Sequence, residues 1–93
     1  MEKIVIDGHE FEGYRIPTQS ANVILIKGAN GFLGCGYFSV ETADKLHENV
    51  AIVTGVKTYD DMLNASVVKL SAAAQQAGIT AGMTGLEALL KMI

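Results

Sequence analysis

The run Val23-Ile24-Leu25-Ile26 is apolar at every position. Side chains alternate between the two faces of a strand, so this one needs cover on both, in the middle of a sheet or beneath a second subunit. The chain has little with which to supply that cover. It is 93 residues long, a size that buries only ~60–65% of the surface its unfolded form exposes. Yet 49% of those residues are apolar and 18% charged, more hydrophobic material than so small a core absorbs. The excess predicts self-association, as a homodimer or a homotetramer.

Turn signals flank that strand. "KIVIDGHEFEGYRI" reads as a β-hairpin about Asp7-Gly8, a pair suited to the positive φ angles of a type I′ turn. Its register sets Ile6 opposite His9, Ile4 opposite Phe11 and Lys3 opposite Glu12, with Ile4, Ile6 and Phe11 on one face. Pro17 ends the hairpin by removing a ladder donor. Asn30-Gly31 predicts a second tight turn, which would place Lys27 opposite Gly34, Ile26 opposite Cys35, Leu25 opposite Gly36 and Ile24 opposite Tyr37. Gly34 and Gly36 then share a face stripped of side-chain bulk. Glycine weakens a strand, so something is expected to approach that backbone closely. The expected occupant is a short helix over "SVETADKLHE", N-capped by Ser39, with Val40, Ala43 and Leu46 inward and Glu41 paired to Lys45. Gly36 in particular is read as crowded by Leu25 and a covering helix or chain.

"NVAIVTGV" reads as a further buried strand, and strand, helix and strand in succession allow a right-handed βαβ unit. Thr58 opens a helix over "TYDDMLN", with Asp60 and Asp61 at the positive end of its dipole. "ASVVKL" is read as a strand, "SAAAQQAG" as a helix capped by Ser71 and stopped by Gly78, and "TGLEALLKM" as a helix with Thr84 and Glu87 at capping-box spacing. No linker or repeat interrupts the chain. The fold class is α/β (α+β): one domain over 1–93, a mixed or mostly antiparallel sheet with helices on one side. Residues 1–38 form the hairpin and oligomerisation region and 39–93 the α/β region.

The formal net charge is −3, and scattered lysines with a single arginine, Arg15, disfavour nucleic acid as a partner. No apolar run reaches membrane-spanning length and "MEKIVIDG" lacks a signal-peptide pattern, so the chain reads as soluble and cytoplasmic. A lone cysteine makes no intrachain disulfide.

Three stretches together, "KGANGFLGCGYF", "AIVTGVKTYDDML" and "AGITAGMTGLEALLKM", resemble the YunC-like family of small bacterial and archaeal proteins, a domain of unknown function numbered 1805. The resemblance spans nearly the whole chain. Its closing motif carries Leu86 where the family usually has arginine, which removes a basic side chain from that place. The resemblance implies an α/β domain that homo-oligomerises through its N-terminal strands, and it implies no reaction.

Two places invite chemistry. Cys35 would serve as a nucleophile if a histidine, a basic neighbour or a helix N-terminus lowered its pKa, although a cysteine between glycines is more often packed than reactive. His9 and His47 lie at no spacing that brings them to it. They also form no metal-ligand set, so neither a metal nor a cofactor is expected. The corner "TGVKT" places Gly55 at the end of a strand, then Lys57, then Thr58 at a helix start, where backbone N–H groups hold anions; it lacks the longer glycine run of a phosphate loop, and capping by Thr58 explains it as well. The candidate ligand-binding positions are Gly34, Gly36, Gly55, Lys57 and Thr58. The leading functional reading is a non-catalytic homo-oligomeric module that binds a small anionic ligand. The alternative is a small enzyme with an inter-subunit active site around Cys35. The sequence leaves open whether there is a reaction, which ligand is bound, and whether Cys35 is reactive.

Overall fold

The Asp7-Gly8 hairpin forms in the expected register, with Ile6 opposite His9 and Lys3 opposite Glu12, and positive φ at both turn residues. It joins β1 (Glu2–Ile6) to β2 (His9–Pro17) in a computed structural model that describes all residues from Met1 to Ile93. Four more strands follow, β3 (Asn22–Gly28), β4 (Gly31–Gly34), β5 (Val50–Ile52) and β6 (Lys69–Leu70). All six lie side by side in chain order. The pairs are antiparallel except β4 with β5, which run parallel.

Four helices complete the fold: α1 (Val40–Leu46), α2 (Tyr59–Asn64), α3 (Ala72–Gln76) and α4 (Gly85–Leu89). Each is short, and each is set by the hydroxyl at its N-cap. Ser39, Thr58, Ser71 and Thr84 accept from backbone amides of the first turn, and Thr58 with Asp61 and Thr84 with Glu87 close full capping boxes. "ASVVKL" contributes only β6 as strand, but its extended backbone is used throughout: Val67 N donates to Met83 O and Val68 N to Ile52 O.

Alternation along the strands divides the apolar residues between two faces. One face presents Ile4, Ile6, Phe11, Ile24, Ile26, Leu33, Ala51 and Val53, and packs on Met62 of α2 and on Ala88 and Leu89 of α4. The other presents Phe32, Val50 and Ile52 to Val40 and Ala43 of α1. The expectation of helices on one side therefore holds for α2 and α4 and not for α1, because β5 is apolar on both faces and is covered on both. Leu46, expected inward, is 63% exposed at the end of α1. Glu41 and Lys45 form no ion pair; the one salt bridge joins Lys3 to Glu10 at 3.7 Å.

The second hairpin departs from its expected register. Gly28 pairs with Gly31 and Leu25 with Gly34, so the loop is Ala29-Asn30 and the pairing slides by two residues. A tertiary contact overrides the Asn-Gly preference: Asn30 donates its amide to Met92 O at 3.0 Å and its side chain to Ile93 O at 2.7 Å. A two-residue slide preserves the faces, but it ends the strand at Gly34. Gly34, not Gly36, is the crowded glycine, since a Cβ there would lie 2.6 Å from Phe38 Cδ2. Gly36 leaves the ladder altogether.

Candidate functional site

Two parallel neighbours send their following loops off the same edge of the sheet. Here β4 and β5 run parallel, so the loop from Cys35 to Ser39 and the loop from Val53 to Thr58 emerge side by side. The antiparallel pairing of β2 with β3 brings a third segment there, the turn Thr18–Ala21. That turn is self-closed: Thr18 N donates to Ala21 O at 2.9 Å, and Ala21 N to Thr18 Oγ1 at 3.0 Å. Between the three segments lies a cleft of about 660 Å³, lined by Thr18, Gln19, Ser20, Ala21, Asn22, Cys35, Gly36, Tyr37, Gly55, Val56 and Lys57.

Cys35 forms part of the floor and is buried. Its sulfur accepts from Ile24 N at 3.5 Å and the thiol donates to Asn22 O at 3.9 Å, so it behaves as a packed polar link between β3 and β4. Tyr37 stands on the wall, 60% exposed, with its hydroxyl 3.5 Å from Thr18 Oγ1. Gly55 turns the opposite wall with φ at +71°, a conformation that glycine adopts without steric cost.

The amides at the start of α2 are already engaged. Lys57 N and Thr58 N donate to Asp61 Oδ2 at 3.0 and 3.3 Å, and Thr58 Oγ1 accepts from Asp61 N at 3.1 Å. The chain's own carboxylate thus occupies the place an anion would take at that helix start. The Lys57 ammonium makes no ion pair and lines the cleft.

Of the residues singled out in the sequence, Cys35, Gly36, Gly55 and Lys57 come together on this one cleft, while Gly34 lies under Phe38 and Thr58 is committed to its cap. Sequence reasoning passed over Tyr37 and the segment "TQSAN". The only signal for the latter was a polar run directly after Pro17. His9 and His47 do not line the cleft. His47 caps α1 in the left-handed conformation, φ +57°. The acidic face of α1 has structural partners: Asp44 Oδ1 accepts from Ala72 N at 2.8 Å, and the Glu41 carboxyl is held below its ordinary range by its own backbone amide and the Ser39 hydroxyl. No three His, Cys, Asp or Glu side chains converge as metal ligands, and no helix is long and apolar enough to cross a membrane.

Comparison with known proteins agrees with the motifs. The family described as "Domain of unknown function (DUF1805)" matches residues 34–92, the span that runs from the end of β4 to the last turn. The Bacillus subtilis (strain 168) protein called "Uncharacterized protein YunC" is 32% identical over 94 aligned residues, covering 97% of this chain and 93% of that protein. The crystal structure of a protein of unknown function, TA1206 from Thermoplasma acidophilum, superposes with a TM-score of 0.94 at 36% identity, over 99% of this chain and 90% of that one. The chain belongs to the DUF1805 family.

Proposed function

We propose that this DUF1805 chain is a homo-oligomeric binding module that holds a small anion in the cleft at the carboxyl ends of β4 and β5. The observation that carries the reading is the convergence of the loops that follow β4 and β5 on one cleft whose only charged lining side chain is Lys57. Ligands of sheets with parallel strands bind outside the carboxyl ends of those strands, and an ammonium without a counter-ion favours a carboxylate or phosphate there. The test is a melting curve against phosphate and carboxylates. Binding to the folded state alone raises the melting temperature in a saturable way, and Lys57→Met abolishes the rise while leaving the unliganded protein's stability nearly unchanged. A flat response across the panel overturns the reading.

Self-association is supported by the part of the α1-bearing sheet face, over β1 to β3, that α1 itself leaves uncovered. On it Val5, Tyr14 and Ile16 are exposed, at 62%, 37% and 63%, and the half-buried Val23 and Leu25 pair with Ile16 and Tyr14. The occupant we assign is a second copy of the chain. The same face carries Lys3, Glu10, Glu12 and Lys27, two charges of each sign, as a self-complementary surface requires. Light scattering should give at least twice the monomer mass, and Ile16→Glu should lower it. A monomer at micromolar concentration refutes the assignment.

The alternative, a small enzyme with a site between subunits, rests on Cys35 at the cleft floor. No histidine or carboxylate lines the cleft within one chain, and Lys57 is its one basic side chain, so a histidine base would have to come from the neighbouring copy. Fast alkylation of native Cys35 below neutral pH would favour the enzyme, and resistance until unfolding the binding module.

A further inference from the structure

We propose that the anion is a small aromatic carboxylate, lying over Gly36 with its ring against Tyr37 and its carboxylate on Lys57. This rests on the reading of the cleft as an anion site and adds the chemistry of the ligand's body.

Gly36 is a glycine that the fold does not explain. Gly34 is glycine because Phe38 and Phe32 occupy the space a Cβ would need. Gly55 is glycine because its φ is +71°. Gly36 has neither reason. Its φ is not in the positive range, and a Cβ would meet only Thr54 Cγ2, at an ordinary 3.6 Å. It is exposed and lines the cleft. An open backbone there lets a flat body come close to the chain.

The next residue supplies a surface to match. Tyr37 is 60% exposed, an aromatic side chain on the cleft wall whose hydroxyl lies 3.5 Å from Thr18 Oγ1. A planar ring stacks on an aromatic face, and an aliphatic chain of the same size does not. Gln19, Ser20 and Asn22 add neutral hydrogen-bonding groups suited to substituents on a ring. The volume, about 660 Å³, lies within the range of small-molecule sites, ~300–1,000 Å³. Inorganic phosphate would engage Lys57 and leave Tyr37 and the open floor unused.

The experiment compares benzoate with cyclohexanecarboxylate, which match in charge and carbon count and differ in planarity. Titration calorimetry on the intact protein should give benzoate the tighter binding by about three- to tenfold. Tyr37→Leu, which keeps apolar bulk and loses the aromatic face, should erase that preference. Gly36→Val should weaken benzoate binding at least as much while the unliganded melting temperature stays within a few degrees of the parent; Gly36→Ala, with the smaller side chain, should weaken it less. Equal affinity for the two acids, or unchanged binding in both Gly36 variants, overturns the ring proposal. If phosphate and aliphatic carboxylates still bind through Lys57, that failure leaves the anion site standing. Absence of a saturable response to any of them overturns both.

Discussion

Placing one methyl group on Gly34 and the same methyl on Gly36 separates packing from open space in a single pair of variants. In Gly34→Ala the new Cβ lies 2.6 Å from Phe38 Cδ2 and 3.1 Å from Phe32 Cε1. Carbon atoms rest at about 3.5–4.0 Å, so Phe38 must retreat by roughly 1 Å. It is held edge-on to Phe32, with ring centroids 5.3 Å apart, so the retreat disturbs both rings. Overpacking of this kind costs about 1–3 kcal/mol, against a gain of about 0.4–1 kcal/mol from the less flexible unfolded chain. The net loss is about 1–2 kcal/mol, or a fall of roughly 5–15 °C for a domain of this size. Gly36→Ala meets only Thr54 Cγ2 at 3.6 Å, so it should be neutral or stabilising by up to ~1 kcal/mol. Urea unfolding at one fixed protein concentration measures both, the concentration being held because self-association would shift the midpoint. Phe38→Leu should be non-additive with Gly34→Ala and independent of Gly36→Ala. Equal midpoints for the two glycine variants, or a larger loss at Gly36, would refute the assignment of crowding to Gly34.

Ser71→Ala should be among the most damaging single-atom deletions, at roughly 2–4 kcal/mol by urea midpoint, because the buried hydroxyl donates to Glu48 O and accepts from Val50 N and Ala74 N, all of which lose their partner. Thr58→Ala should cost about 1 kcal/mol by loss of the α2 cap and leave any Lys57-dependent anion response intact, since Thr58 does not line the cleft. The Glu87 carboxyl is held below its ordinary range by the Thr84 amide and hydroxyl. The folded state therefore binds fewer protons than the unfolded one, and the stability that Glu87 contributes is present above the ordinary carboxylate range and lost as pH falls below it. Unfolding followed by circular dichroism from neutral pH downward should show a shallower acid slope in Glu87→Gln than in the parent.

What could be read from the chain before its structure was local. Asp7-Gly8 sets its own hairpin because nothing distant competes for the turn, and the four helix starts were marked because a cap is a contact between residues three apart. Asn30 carries the same kind of local signal, yet its partner is Ile93, 63 positions away. That contact outweighs the turn preference, slides the register by two, and transfers the crowding from Gly36 to Gly34. The glycine face does receive α1, through Phe32 and Phe38; what the sequence did not show is that this face is opposite the one taken by α2 and α4. Val50, Ala51 and Ile52 are all apolar, and a strand without alternation does not say which of its faces a helix takes.

The cleft was half legible on the same principle. Gly55 and Lys57 sit at a strand-to-helix corner, which is a local pattern, and the glycines beside Cys35 asked for a close neighbour. That the corner and the cysteine face each other follows only from the parallel pairing of β4 with β5, and the third wall only from the register of β2 on β3. A local contact decided the chemistry. Asp61, three residues beyond Thr58, takes the amides that the corner would have offered to an anion, leaving the Lys57 side chain as the charged group on the cleft. A ligand held by that lysine alone needs further contacts to be bound with any selectivity, and the same cleft offers the ring of Tyr37 and the bare backbone of Gly36.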